Sequence, residues 1–169
     1  IVGNPPYVRQ EQMSAIKPYL AQAHAAVYDG VADIYVYFYH QGLELLRAGG
    51  KLSYIVTNKW LRAGYGEALR GYFAEAAVIE QIIDFGHAPI FADADTFPCI
   101  IVVGKPDDTG KPDQNFETQI CLVPRSDLSE SGLSEYIQQN SYFVPEQRFD
   151  ATAWSLEPKE VDDLIERLS

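Results

Sequence analysis

The sequence predicts an α/β fold, because strand and helix signals alternate through the first hundred residues. Residues 51–57 alternate in polarity and are rich in β-branched side chains, which predicts a strand. Residues 98–104 contain Ile-Ile-Val-Val, which is typical of a strand buried on both faces. Between these strands, residues 33–48 place apolar side chains at helical spacing, and Gly49-Gly50 ends the helix. Such alternation predicts a largely parallel sheet covered by helices.

The other elements follow from the same signals. A short apolar strand opens the chain at Ile1-Val2-Gly3, and helical potential over residues 13–27 is interrupted by Pro18. The further predicted elements are a helix at 66–76, strands at 78–85 and 116–123, a helix at 129–139, an extended segment at 142–149 and a helix at 157–168. The polar stretch 106–113 predicts a turn or hairpin connection.

Composition and charge narrow the possible functions. The net charge is −11, from 13 basic and 24 acidic residues, which argues against this chain alone being the main nucleic-acid surface. Cys99 and Cys121 lie far apart, so they indicate neither a disulfide scaffold nor a zinc site and fit a reducing cytoplasm. The three histidines have no metal-ligand spacing, so no metal site is predicted. No apolar stretch is long enough to span a membrane, and no membrane partner is expected.

The most informative motif is Asn4-Pro5-Pro6-Tyr7, which directly follows the first strand. The two prolines stiffen a non-helical loop that holds an amide, a backbone carbonyl and a flat ring in fixed positions. Such a loop suits binding of a planar molecule that carries an amino group. The competing interpretation is a proline turn between a strand and a helix.

This motif after a short apolar strand resembles the catalytic motif of the adenine-N6-specific DNA methyltransferases, which use S-adenosylmethionine. The continuation Val8-Arg9-Gln10-Glu11 resembles the branch found in combined restriction-modification enzymes and their phage-defence relatives. The resemblance implies the C-terminal half of a Rossmann-like methyltransferase sheet. Residues 1–105 would be a partial catalytic domain, and residues 106–169 a hairpin and connecting region toward a downstream target-recognition domain.

The resemblance also implies roles for individual residues. The side chain of Asn4 and the carbonyl of Pro5 would accept hydrogen bonds from the adenine amino group, and Tyr7 would stack on the base. These bonds strengthen as the nitrogen gains positive charge during methyl transfer. The base must leave the duplex to be reached, and Phe97, in a block that resembles the family's second aromatic position, would cover its other face. The alternative for Phe97 is a core residue at the start of a strand.

Weaker signals concern the cofactor and the DNA backbone. Residues 32–38 resemble the segment whose aromatic residue packs on the cofactor adenine, which implies this role for Phe38. The alternative is an aromatic helix face packed on the sheet, and Asp33 is expected to cap that helix. Lys59 and Arg62 follow the strand 51–57, where loops of such sheets face the ligand crevice, and are candidates for DNA phosphate contacts. Solvated surface charge is the competing interpretation for both.

Two other functions stay open at this point. The same motif occurs in enzymes that methylate a glutamine amide of release factors, and the acidic charge suits a protein partner. A non-catalytic binding or assembly module with the same fold is the other alternative. For the methyltransferase, the glycine-rich cofactor turn is expected upstream of Asn4. We therefore expect this chain alone to bind S-adenosylmethionine weakly and to be inactive, and the whole protein to act on double-stranded DNA in a bacterial or archaeal cytoplasm.

Overall fold

A six-stranded mixed β-sheet forms the centre of the protein. The computed structural model describes residues 1–86, 97–111, 116–123, 132–158 and 161. The strands are β1 (Val2–Gly3), β2 (Lys51–Thr57), β3 (Val78–Asp84), β4 (Pro98–Gly104), β5 (Glu117–Leu122) and β6 (Tyr142–Pro145), in the order β1-β2-β4-β3-β5-β6. The helices are α1 (Lys17–Ala23), α2 (Tyr35–Glu44), α3 (Glu67–Ala76) and α4 (Leu133–Asn140). The predicted α/β class is confirmed.

The directions of the strands differ from the prediction. Strands β1 and β2 are parallel, as are β3 and β5, but β4 runs antiparallel to both β2 and β3, and β6 antiparallel to β5. The prediction of a largely parallel sheet was therefore wrong. An apolar run such as that of β4 is buried on both faces whichever way it runs, so its composition carries no information on direction.

Two predictions about helices were also wrong. Pro18 does not interrupt a helix but lies in the first turn of α1, where its missing N–H breaks no helical hydrogen bond. Helix α2 has Ile34 at its N-cap position and no side chain that caps it, so Asp33 is not the cap. Instead, the backbone carbonyl of Asp33 accepts a hydrogen bond from the backbone N–H of Val36 at 3.1 Å.

The core on one side of the sheet is rich in aromatic side chains. The ring of Trp60 lies 5.7 Å from that of Tyr39, 5.8 Å from that of Phe73 and 5.3 Å from that of Trp154, and all four side chains are buried. The backbone N–H of Trp154 donates to the carbonyl of Leu61 at 2.8 Å. The chain beyond β6 thus packs against the loop that follows β2.

The region after residue 105 continues the same sheet, because β5 pairs with β3 and β6 pairs with β5. The proposed division between a catalytic domain and a connecting region stays a prediction. Most of the predicted helix at 157–168 and the start of the predicted helix at 129–139 lie outside the described residues. Within the described part of the chain, no helix has the length and apolar character needed to cross a membrane.

Candidate functional site

Strands β1, β2 and β3 end, and β4 begins, at the same edge of the sheet. Strands β1, β2 and β3 point the same way, and β4 points against them. Asn4, Asn58 and Phe85 therefore follow the strand ends at this edge, and Phe97 precedes the start of β4. Ligands of open α/β sheets bind outside the carboxyl ends of the strands. This edge is the candidate site.

The Asn4-Pro5-Pro6-Tyr7 loop leaves β1 at this edge. Pro5 is buried, whereas Asn4 and Tyr7 are exposed, with 41% of Tyr7 accessible. The ring of Tyr7 meets the ring of Tyr35 edge-on at 6.0 Å. Burial raises the pKa of Tyr7, Cys99 acts in the same direction, and a hydrogen bond with the backbone of Thr57 opposes them. The loop thus presents an amide and a neutral phenol ring to the outside.

Buried tyrosines of α2 support the loop from below. The hydroxyl groups of Tyr35 and Tyr65 lie 2.8 Å apart, and burial is the main cause that raises the pKa of both. Tyr39 is completely buried, and its ring lies 5.2 Å from that of Tyr54. For Tyr35 and Tyr39, the interpretation of an aromatic helix face packed on the sheet therefore holds.

Phe97 is hydrogen-bonded to Asn58, and Asn58 is hydrogen-bonded to Asp84. The sequence predicted a site role for neither Asn58 nor Asp84. The backbone N–H of Asn58 donates to the carbonyl of Phe97 at 2.6 Å. The amide Nδ2 of Asn58 donates to Oδ1 of Asp84 at 2.8 Å, and the backbone N–H of Gly86 donates to the same oxygen at 3.0 Å. Asn58 and Asp84 are 26 positions apart. No periodicity or motif connects them, so only the sheet topology reveals the pair.

A cavity of about 400 Å³ brings Phe97 together with Lys59 and Arg62. Among the described residues, those that line it are Asn58, Lys59, Leu61, Arg62, Asp84, Gly86, Phe97 and Leu156. Lys59 and Arg62 are exposed, and Phe97 is partly buried. The cavity therefore combines an aromatic ring, two cationic side chains and an amide–carboxylate pair. The Asn4-Pro5-Pro6-Tyr7 loop does not line it.

Phe38 lies at a second, smaller cavity of about 180 Å³. This cavity is lined by Leu20, His24, Ile34, Tyr37, Phe38 and Gln41, and 40% of Phe38 is exposed. An accessible phenyl ring beside an imidazole and aliphatic side chains fits one wall of a pocket for a planar ring. The structure does not bring Phe38 together with Phe97, Lys59 and Arg62 in one cavity.

The fold defines a class of protein. The sheet and its helices form part of a Rossmann-like S-adenosylmethionine-dependent methyltransferase fold. A Listeria monocytogenes protein assigned to the class I S-adenosylmethionine-dependent methyltransferases matches 82% of this chain over 40% of its own, with a TM-score of 0.57 and 18% identity. The type IIL restriction-modification enzyme MmeI, solved in complex with DNA, matches 86% of the chain over 18% of its own, with a TM-score of 0.56 and 18% identity.

The sequence comparison then gives the family. The model of the Eco57I restriction-modification methylase family matches residues 1–91, and the chain belongs to this family. The type II methyltransferase M.XhoI of Xanthomonas vasicola is 37% identical over 110 residues, which are 63% of this chain and 20% of that protein. The type II restriction enzyme and methyltransferase RM.Eco57I of Escherichia coli is 24% identical over 168 residues, 98% of this chain and 16% of that protein. The chain thus spans a fifth or less of these relatives, and its predicted place in the restriction-modification branch is confirmed.

Proposed function

We propose that this chain carries the catalytic part of a DNA methyltransferase that transfers a methyl group from S-adenosylmethionine to N6 of adenine. The protein would serve a restriction-modification or phage-defence system in the cytoplasm of a bacterium or archaeon. The observation that carries the proposal is the exposed Asn4-Pro5-Pro6-Tyr7 loop at the carboxyl end of β1. The names of the relatives, type II methyltransferases and an enzyme bound to DNA, support DNA as the substrate.

The loop offers two acceptors for one amino group. The lone pair of the adenine amino nitrogen is delocalised into the ring, which makes it a poor nucleophile. The side-chain oxygen of Asn4 and the carbonyl of Pro5 would accept its two N–H bonds and favour a pyramidal nitrogen. As this nitrogen gains positive charge, both hydrogen bonds strengthen, so they stabilise the transition state more than the ground state.

S-adenosylmethionine supplies an activated methyl group on a cationic sulfur. Of the residues in this chain, Phe38 is the candidate to pack on the cofactor's adenine, because its ring is accessible beside a cavity of suitable lining. Phe38 supplies only one wall of such a pocket. We therefore expect the chain by itself to bind the cofactor weakly and to be inactive.

The target base would be flipped out of double-stranded DNA. Tyr7 would stack on one face of the base and Phe97 on the other. Lys59 and Arg62, exposed at the cavity that Phe97 lines, are the candidates for contacts with neighbouring phosphates. Two cations in a chain of net charge −11 supply only part of the electrostatic affinity, so most phosphate contacts would come from other parts of the protein.

The test is Asn4→Ala in the intact protein, with Asn140→Ala as the matched control. Asn140 is an exposed amide on α4 that donates to a local carbonyl, that of Tyr136. Mass spectrometry of DNA from expressing cells should detect N6-methyladenine for the wild type and the control. We expect a loss of at least about 100-fold for Asn4→Ala, as for removal of one transition-state hydrogen bond.

The same cells distinguish the alternatives. Release-factor glutamine methylation without methyladenine would favour the protein-directed enzyme, and the absence of both modifications would favour an assembly module. Methyladenine at the wild-type level in Asn4→Ala would contradict the proposed catalytic role of the loop.

A further inference from the structure

Asn58 and Asp84 form a hydrogen bond across the start of β4. Strand β4 lies between β2 and β3, so residues on these outer strands are about 10 Å apart, twice the strand spacing. Yet Asn58, one residue beyond β2, reaches Asp84, the last residue of β3, at 2.8 Å. The bond lies where β4 begins, since Thr57 pairs with Pro98 and Asp84 with Cys99.

The same two residues fix where the chain leaves the sheet and where it returns. Asp84 accepts the backbone N–H of Gly86, whose φ of +54° lies in the left-handed region that favours glycine. Asn58 donates its backbone N–H to the carbonyl of Phe97 at 2.6 Å. The pair is therefore bonded to the exit at Gly86 and to the entry at Phe97.

We infer that the Asn58–Asp84 pair positions Phe97 for its stacking on the target base. This inference rests on the proposed function. Asn58 and Asp84 are positioning residues, since their role is to hold the backbone of Phe97 rather than to take part in methyl transfer. Both also line the cavity that contains Phe97, so a shift of the pair moves the wall against which the base would lie.

The chemistry of the pair allows a specific exchange experiment. In the wild type, an amide on the β2 side donates to a carboxylate on the β3 side, and the carboxylate also accepts from Gly86. Asp84→Asn removes the charge that strengthens both bonds. Asn58→Asp places two carboxylates next to each other and removes the amide group that donates the hydrogen bond. The double exchange Asn58→Asp with Asp84→Asn restores one donor and one acceptor and keeps an oxygen for Gly86.

The measurement uses the intact protein and a duplex that contains the sequence methylated by the wild type. Single-turnover methylation gives the rate, and 2-aminopurine in place of the target adenine reports extrusion and stacking of the base by its fluorescence. We expect each single variant to lose about 10- to 100-fold in rate, with a matching change in the fluorescence signal. We expect the double exchange to recover to within about threefold of the wild type.

Gln81→Leu is the matched control. It removes another side-chain hydrogen bond of β3, from Nε2 of Gln81 to Oε1 of Gln119 at 2.7 Å, on the side of β3 away from β4. We expect it to change neither the rate nor the fluorescence. Thermal unfolding of all variants checks that they fold, and if Asn58→Asp does not fold, Asp84→Asn and the double exchange still decide the question.

The outcomes distinguish a failure of the positioning role of Asn58 and Asp84 from a failure of the proposed function. An active wild type whose single variants keep its rate would overturn the positioning role. So would a double exchange that is as impaired as the single variants, since the residues would then act by direct contact. A wild type that forms no methyladenine would instead overturn the proposed function, and with it this role of Phe97.

Discussion

His24 and His40 face each other through their Nδ1 atoms, 2.9 Å apart, where the end of α1 meets α2. One ring donates from a protonated Nδ1 and the other accepts at an unprotonated Nδ1, so the bond cannot form when both rings are protonated. Burial lowers the pKa of both histidines; the neighbouring His40 lowers that of His24 further, while Glu44 opposes the effect at His40. The pair should therefore make the stability of the protein depend on pH.

The first prediction concerns the pH dependence of stability. Because the folded-state pKa values lie below the unfolded value of about 6.5, the unfolded chain takes up protons that the native chain resists as the pH falls. The free energy of unfolding should therefore fall below about pH 6.5, by up to about 1.4 kcal/mol per pH unit for each histidine. In urea unfolding from pH 7.5 to 5, His24→Gln should flatten this dependence. An unchanged slope in the variant would contradict the assignment.

The second prediction concerns two glycines of one 3-10 turn, Gly64 and Gly66. A Cβ on Gly66 would lie 2.1 Å from the carbonyl oxygen of Trp60 and 2.7 Å from Nη1 of Arg70, whereas a Cβ on Gly64 meets nothing within 4 Å. Arg70 is buried and donates to the carbonyls of Trp60 and Ala63 at 2.5 and 2.9 Å. Gly66→Ala should cost about 2 kcal/mol or more in the free energy of unfolding, and Gly64→Ala should cost little. Equal losses in denaturant titrations would show that the backbone yields here.

The third prediction separates the ring of Tyr7 from its hydroxyl group. If the ring stacks on the base, Tyr7→Phe should keep methylation within about threefold, and Tyr7→Ala should lower the rate by about 10- to 100-fold, as for loss of one stacked base. Tyr19→Ala is the control, because Tyr19 is 64% exposed and lies on α1. The comparison uses methylation rates on a duplex that contains the sequence methylated by the wild type. A loss in Tyr7→Phe equal to that in Tyr7→Ala would instead assign the role to the hydroxyl.

The fourth prediction concerns the DNA backbone. Lys59 follows the carboxyl end of β2, whereas Lys51 begins the same strand at the opposite edge and pairs with Glu80 at 2.6 Å. In the intact protein, Lys59→Gln should weaken DNA binding and reduce the slope of log K against log salt by about one. Lys51→Gln should leave the slope unchanged. Equal slopes for wild type and Lys59→Gln would mean that Lys59 is solvated surface charge.

The sequence predicts local elements well where one signal dominates. The apolar run of β4 defines its bounds, 98–104, as the structure has them, and the alternation of β2 does the same for 51–57. Pro18 misleads because proline breaks a helix in its interior but is compatible with its first turn. The prediction for Asp33 was wrong because Asp is a common N-cap residue type, whereas in the structure Ile34 occupies the N-cap position and no side chain caps the helix.

The candidate site was predictable only in part. The Asn4-Pro5-Pro6-Tyr7 loop is contiguous, so its residue types alone indicate the chemistry. The Asn58–Asp84 hydrogen bond joins separate strand ends, and it depends on β4 running against both neighbours. Strand order and direction arise from the packing of the whole sheet, which local residue patterns do not encode.

The reversed direction of β4 has a consequence for how such a site can vary between related genes. The register pairs Thr57 with Pro98 on one side and Asp84 with Cys99 on the other, so the pairing of β4 with its neighbours sets the position of Phe97. Codons gained or lost between Gly86 and Phe97 leave this pairing unchanged. A single codon lost within β4 would turn alternate side chains to the opposite face of the sheet and displace Phe97 by one step. We therefore expect that changes in length between residues 86 and 97 are tolerated, whereas changes within β4 displace the site.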